Sequence, residues 1–246
     1  MKTFDELLDE AAAVPVAGWE FSWFEGRATE ERPGWGYARL IGAAMAGAGA
    51  ALDLQTGGGE VLATVAQPPA LLVATESWRP NAPIAHRNLA PLGGLVVEAS
   101  RDEVPFRDAS FDLVVSRHPE RTPWGEVARV LRPGGRFLSQ QIGAGTNREL
   151  SEAMLGPLPP PSALDHRLLA EDAGLEVRQA RPARLRLEFL DVAAVAYFLR
   201  KVVWTVPGFT IDRFRPQLLA VHERIRSEGV FVSHSRRVLV EAVKRP

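Results

Sequence analysis

Two acids and a run of glycines stand where a nucleotide could be held. Asp53 lies near the end of an apolar stretch, Ala50 to Leu54, and Gly57, Gly58 and Gly59 follow. Glu76 closes a second apolar run that starts at Leu71, 17 residues past Gly59. Glycines carry no Cβ, so a ligand can approach their main chain. An acid at the end of the second run can accept from both hydroxyls of a ribose. A carboxylate inside a strand end, as at Asp53, is costly unless it has a partner. Arg117-His118-Pro119-Glu120 follows a third apolar run. An imidazole there can take a proton near neutral pH, and a guanidinium can hold a carboxylate. Gln140 and Gln141 end a later run and must face opposite sides of a strand. The remaining histidines, His86, His166, His222 and His234, show no metal-binding spacing, so no metal site is predicted.

These residues need a frame. The run 50–54 reads as a buried strand. The glycines make a turn, and Glu60 to Ala66 begins a helical pattern with Val61, Leu62 and Val65 on one face. Strand, glycine turn and helix open a nucleotide-binding βαβ unit, and amides at such a helix start are expected as unpaired donors. Further strands are predicted at 71–76, 95–99, 111–117 and 136–142. Helices are predicted at 4–13, 40–49, 81–94 and 126–131, the last stopped by Pro133-Gly134-Gly135. Residues 143–162 read as loop with a helical stretch near 148–155. A helix at 165–173, closed by Gly174, leads to a strand from Leu175 and a strand-like alternation at Leu185, Leu187 and Phe189. Asp191 should cap a helix with Val192, Val195, Ala196, Leu199, Val202 and Val203 on one face, broken at Pro207-Gly208. A helix carrying Phe214, Leu218, Val221 and Ile225 ends at Gly229, and Val238–Val243 is the last strand.

The wording of Val104-Pro-Phe, Ser110-Phe-Asp-Leu-Val-Val and Val130-Leu-Arg-Pro-Gly-Gly-Arg-Phe, in that order after the glycine turn, resembles the class I S-adenosylmethionine-dependent methyltransferases, of the methyltransferase type 11 kind. The resemblance covers residues 51–142. It implies an α/β, Rossmann-like seven-stranded sheet with helices on both faces and an antiparallel last strand. It implies S-adenosylmethionine as cofactor and methyl transfer to an O, N or C atom of a small-molecule substrate. Asp53, Gly57 and Gly59 would form the floor under the cofactor's amino acid part, with Thr56 bonding locally. Gln55 replaces the family's first glycine; it could donate to the cofactor carboxylate or narrow the site. Glu76 would take the ribose hydroxyls, next to Ser77, while Trp78 lies against adenine or simply packs. Ser100 stands where the third strand usually ends in an acid, and Asp102 is the substitute. Arg117 would hold a carboxylate of substrate or cofactor. His118 would be a base, a substrate ligand or a wall residue. Trp35, Tyr37 and Gln140 either line the substrate pocket or pack. The resemblance also implies that residues 1–39, with the aromatics Trp19, Phe21, Trp23 and Phe24, fold as a helical lid, and that 190–229 is a helical insertion helping to form the substrate pocket.

Composition sets limits. The chain has 246 residues, 29 Lys and Arg against 30 Asp and Glu, and no cysteine. Disulfides, thiolate metal sites and cysteine nucleophiles are excluded. The even charge balance argues against a nucleic-acid or membrane partner. No apolar signal sequence follows Met1, and no run approaches a membrane span, so a cytoplasmic monomer or homodimer is expected. A nicotinamide dehydrogenase is disfavoured because Leu62 stands three residues after Gly59. An RNA methyltransferase would use Arg178, Arg181, Arg184, Arg186, Arg236 and Arg237 as a basic patch. A non-catalytic S-adenosylmethionine-binding protein is left open by Gln55 and Ser100.

Overall fold

The structure, a computed structural model, describes residues 2–16, 21–162 and 165–245; Trp19 lies outside them. Eight strands form one sheet in the order β1-β7-β8-β6-β5-β2-β3-β4. They are β1 (Ala28–Glu30), β2 (Ala50–Leu54), β3 (Leu71–Glu76), β4 (Leu95–Glu98), β5 (Phe111–Arg117), β6 (Leu131–Ile142), β7 (Leu175–Phe189) and β8 (Phe231–Lys244). The helices are α1 (Phe4–Ala13), α2 (Tyr37–Ala46), α3 (Ala82–Leu89), α4 (Trp124–Val130), α5 (Arg148–Leu155), α6 (His166–Asp172), α7 (Val192–Lys201) and α8 (Arg215–Glu228). The chain divides into two compact units, one of residues 33–143, 163–183 and 237–246, the other of 1–32, 144–162 and 184–236.

In the first unit β4, β3, β2, β5 and β6 run parallel, and β8 pairs antiparallel with β6 from Arg136↔Val243 to Ile142↔Arg237. Parallel strands need both faces covered, and the side chains divide accordingly. Leu52, Val114 and Phe137 enter a core with Val127 and Val130 of α4 and Ala170 of α6. Their neighbours Ala51, Val115 and Leu138 enter a second core with Ile41 and Met45 of α2 and Leu89 of α3. The alternation of strand side chains thus fixes helices on both faces. Asp112 anchors the sheet at the edge opposite the glycine turn. Its Oδ2 accepts from the amides of Gly49 (3.0 Å) and Ala50 (2.8 Å), and its Oδ1 accepts from Arg132. Arg129 of α4 donates to the carbonyls of Val104 and Phe106 and to Glu126, whose Oε2 accepts from the Val104 amide. The recurring Val104-Pro-Phe and Phe-Asp wording therefore serves to pin loops to the sheet.

The second unit has its own core, built from Leu7, Leu8 and Ala11 of α1, Leu150 and Met154 of α5, Phe189, most of α7 and Leu218, Val221 and Ile225 of α8. Asp191 caps α7 through the Ala194 amide, 2.7 Å away. A capping box of Thr3 and Glu6 starts α1, satisfying orphan amides on both residues. Trp23 and Phe24 pack on Tyr197, with ring centroids 4.8 and 5.1 Å apart.

Four departures from the sequence reading have physical causes. The sheet has eight strands because β1, only three residues long, pairs antiparallel with the end of β7; so short an edge leaves no periodic signal. Residues 175–189 form one strand where the pattern reads as two pieces. The helix expected over Glu60–Ala66 is a single 3₁₀ turn, Leu62–Thr64. Pro68 and Pro69 follow four and five residues after its end, and β-branched Val61, Thr64 and Val65 oppose a longer helix. Finally α7 ends at Lys201, so Val203 is exposed beyond the helix, not on its buried face.

Candidate functional site

The C-terminal ends of β2, β3, β5 and β6 meet at one edge of the parallel sheet, where ligands bind in open α/β folds. The glycine turn is fastened there by β3. The Thr56 amide donates to the Thr75 carbonyl (2.9 Å), and the Gly57 amide donates to Glu76 Oε2 (2.7 Å). Glu76 Oε1 accepts from the Trp78 amide, also at 2.7 Å. From α3, Asn88 Nδ2 donates to the Gly58 carbonyl. Gly59 is fixed twice over: its φ is +76°, and a Cβ would stand 3.1 Å from Leu89 Cγ. The turn amides that a helix start would leave unpaired are thus largely spent within the fold, since the Gly59 amide also bonds the Thr56 carbonyl.

Asp53 is 8% exposed, and burial pushes its carboxyl up to about 7. The nearby Thr56 hydroxyl and Arg117 guanidinium draw it down, and the neighbouring Glu76 raises it. Gln55 holds a left-handed φ of +56° although it is not glycine. It does not point its amide inward as a cofactor donor. Its Nε2 donates to the Arg121 carbonyl (2.8 Å) and its Oε1 accepts from the Glu120 amide (2.9 Å). The side chain stitches the glycine turn to the loop after β5. The same loop is joined to 100–103 by the ion pairs Arg101–Glu120 and Arg121–Asp102. Asp102 is therefore engaged on the rim, and Ser100 Oγ accepts from the Asp102 amide. Ser77 is exposed, and Trp78 is 52% exposed on the same rim.

Behind the rim lies a polar chain whose orientation is fixed from both ends. Trp35 Nε1, which can only donate, is 2.7 Å from Gln140 Oε1. That places Gln140 Nε2 toward His118 Nε2, 2.8 Å away. Arg237 Nε, also only a donor, is 3.1 Å from the same His118 nitrogen. His118 Nε2 must therefore accept, and the neutral ring carries its proton on Nδ1. Burial, with Arg117 and Arg237 close by, holds the imidazole down to about 2. His118 has φ +53°, and its amide donates to the Gln140 carbonyl at 2.7 Å. Of the roles expected for His118, this arrangement favours a wall residue: its accepting nitrogen is already committed to two donors. Tyr37 packs, one of the two roles expected of it. Its hydroxyl is buried between the main-chain carbonyls of Ser116 (2.9 Å) and Leu138 (3.3 Å), and burial raises it well above the ordinary phenol value. Tyr37 ties β5 to β6 through its hydroxyl. Trp35 is buried, with the Arg181 guanidinium 5.2 Å from its ring centroid.

Three participants lack a legible signal. In the sequence Arg237 reads only as one of a pair of edge arginines, and it reaches His118 because β8 doubles back beside β6. Thr75 and Asn88 hold the glycine turn through bonds that no spacing rule announces. Among the described residues no group of three His, Asp or Glu side chains is placed to hold a metal ion, and no helix is long and apolar enough to cross a membrane.

Comparison with known proteins follows this geometry. Residues 52–139 match the family described as "Methyltransferase domain". A solved structure of a candidate methyltransferase from Bacillus halodurans C-125 is 20% identical, covering 87% of this chain and 100% of its own, with a TM-score of 0.62. A geranyl diphosphate methyltransferase solved with S-adenosylmethionine is 14% identical, over 85% of this chain and 84% of its own, with a TM-score of 0.51. The cyclase SpnF is similar at 18% identity, over 97% and 91%, with a TM-score of 0.51. No curated protein matches the sequence. Taken with the sheet order and the acid-flanked glycine turn, residues 52–139 match a methyltransferase domain, and the chain has the α/β fold of these solved structures.

Proposed function

We propose that this protein transfers a methyl group from S-adenosylmethionine to an O, N or C atom of a small molecule. The observation that carries the reading is the pair of buried acids, Asp53 and Glu76, on either side of the Gly57 turn at the C-terminal edge of the parallel strands. The donor and acceptor types fit that cofactor. A carboxylate has about four accepting positions, so Glu76 can accept ribose hydroxyls while it holds two amides. Asp53, raised by burial and by its acidic neighbour, would gain from an ammonium group placed beside it. Gln55 is held on the rim by Glu120 and Arg121, its amide group spent on their main chain.

When bound, the cofactor supplies an already activated methyl on a sulfonium. The chain's own task is then to position and to exclude water, and orientation of this kind can be worth about 7–11 kcal/mol. Glu76 and the turn fix the nucleoside side. The Trp35–Gln140–His118 chain forms a rigid wall. No proton passes to His118. An acceptor with a low proton demand, or one already ionised, suits such a site.

The similarity to a cyclase is a reason to test the chemistry directly, because fold does not imply function. Incubation with methyl-labelled S-adenosylmethionine and a panel of small carboxylic, phenolic and amine acceptors should give labelled product. Cofactor binding with no product from any acceptor would favour the non-catalytic reading. The RNA reading loses support from charge pairing. Arg178 pairs with Glu176, Arg184 with Glu149, and Arg186 with Glu188. A cysteine-free chain suits a cytoplasmic enzyme.

A further inference from the structure

The loop after β5 is tied at its root, its middle and its tip. At the root the His118 amide donates to the Gln140 carbonyl, and Thr122 Oγ1 donates to Gln141 Oε1 at 3.1 Å, so the loop is anchored on β6. In the middle Gln55 spends its amide group on the loop, accepting from the Glu120 amide and donating to the Arg121 carbonyl. At the tip the side chains of Glu120 and Arg121 pair with Arg101 and Asp102, which follow β4. The sheet order gives this link its meaning. Between β5 and β4 stand β2 and β3, a span of about 14 Å at the usual strand spacing. β2 ends at Leu54, next to Asp53 and just before Gln55, and β3 ends in Glu76. The link therefore crosses the row of strand ends that carries the two buried acids, and Gln55 meets it where β2 ends. Gln55 holds this place at a conformational cost, because its φ of +56° is one that glycine adopts more readily. Glycine there would relieve the turn and leave the loop unclasped.

We propose that Gln55 is a positioning residue for the cofactor site: it holds residues 118–121 as a strap across the site's mouth, and the strap retains the bound adenosyl compound. The inference rests on the methyltransferase reading and assigns to that site the element that controls release. The two ion pairs at the tip are exposed, and exposed pairs are individually weak. The strap can therefore open at its tip, while the paired main-chain bonds of Gln55 bias it shut. Closing loops exclude water from a site and in many enzymes set the rate of product release. The product to be released here is S-adenosylhomocysteine.

The test is stopped-flow displacement of S-adenosylhomocysteine from the wild type, Gln55→Gly and Gln55→Met. Glycine removes both the clasp and the costly φ. Methionine removes the two bonds and keeps the length and the φ. Release should be at least tenfold faster from both variants. In the ligand-free proteins the Glu120 amide should exchange with deuterium faster in both variants than in the wild type, since its acceptor is gone. Gln55→Gly should melt no lower than the wild type. Arg101→Glu, which sets two carboxylates against each other at the tip, should also quicken release and does not touch the turn. Release within threefold of the wild type from both Gln55 variants overturns the proposal, as does unchanged exchange at Glu120. Faster release from Gln55→Gly together with a lowered melting temperature also overturns it, because Gln55 would then be supporting the turn itself. If the folded wild type binds neither S-adenosylhomocysteine nor S-adenosylmethionine, the methyltransferase reading fails and the strap falls with it. Binding with unchanged release kinetics sinks the strap alone.

Discussion

Replacing Asp53 with asparagine should stabilise the protein at pH 8 and change little at pH 4. The carboxyl is buried and rises from 3.8 to about 7 on folding. A raised carboxyl binds its proton more tightly in the folded state than in the unfolded chain. Its contribution to stability is therefore fully present below pH 3.8 and is lost as pH rises to about 7. At 1.36 kcal/mol per pKa unit the full loss is about 4 kcal/mol, and the part falling between pH 5 and pH 8 is about 3 kcal/mol. Asparagine keeps the shape and does not titrate, so the variant escapes that loss. Urea denaturation of both proteins at pH 5 and pH 8 measures it. The stability difference should swing toward the variant by about 3 kcal/mol across this range. An unchanged difference, or a wild type that gains on the variant as pH rises, would refute the argument that burial has made Asp53 a reluctant anion.

Other outcomes follow from single contacts. Gly59→Ala should cost about 2–4 kcal/mol, because it combines a left-handed φ with a Cβ 3.1 Å from Leu89; a thermal melt within 2 °C of the wild type would remove the structural role given to that glycine. Asp112→Ala should cost about 1–2 kcal/mol through the freed Gly49 and Ala50 amides, read by urea denaturation, with S-adenosylhomocysteine affinity unchanged because the anchor lies at the far edge of the strands. His118→Asn should leave the pH dependence of methyl transfer unaltered, since the ring stays neutral down to about pH 2. Loss of an inflection near pH 6.5 in that variant would restore His118 as a base.

The parallel core of the fold is legible in the sequence for a physical reason. Strands buried on both faces read as unbroken apolar runs, as at Ala50–Leu54 and Phe111–Val115, and Asp165, Asp191 and Gly229 mark helix ends by capping rules that need only local chain. What escapes is what depends on partners distant in sequence. The three-residue β1 exists because the end of β7 is beside it. The missing helix after Gly59 is foretold by Pro68-Pro69, but the apolar spacing of Val61, Leu62 and Val65 masks that signal. At the site, the residue types Asp53, Glu76, Arg117 and His118 are visible, whereas their states are not. Whether His118 takes a proton is decided first by burial, then by Arg117 and by Arg237, the last more than a hundred positions away and brought near by the antiparallel return of β8. Tyr37 has the chemistry of a pocket residue until its hydroxyl is seen between two main-chain carbonyls. Gln55 at a glycine position suggests a blocked site, and only the Glu120 amide and the Arg121 carbonyl explain where its side chain goes.

The most direct test of the central claim is calorimetric titration of S-adenosylhomocysteine into the wild type and into Glu76→Ala, with circular dichroism to establish that both are folded. Micromolar binding to the wild type, weakened at least tenfold in the variant, is the expected result, since hydrogen bonds to a charged group contribute about 1.5–3 kcal/mol each. Equal binding to the two proteins, or none to the folded wild type, would contradict the claim that the acid-flanked glycine turn is a cofactor site.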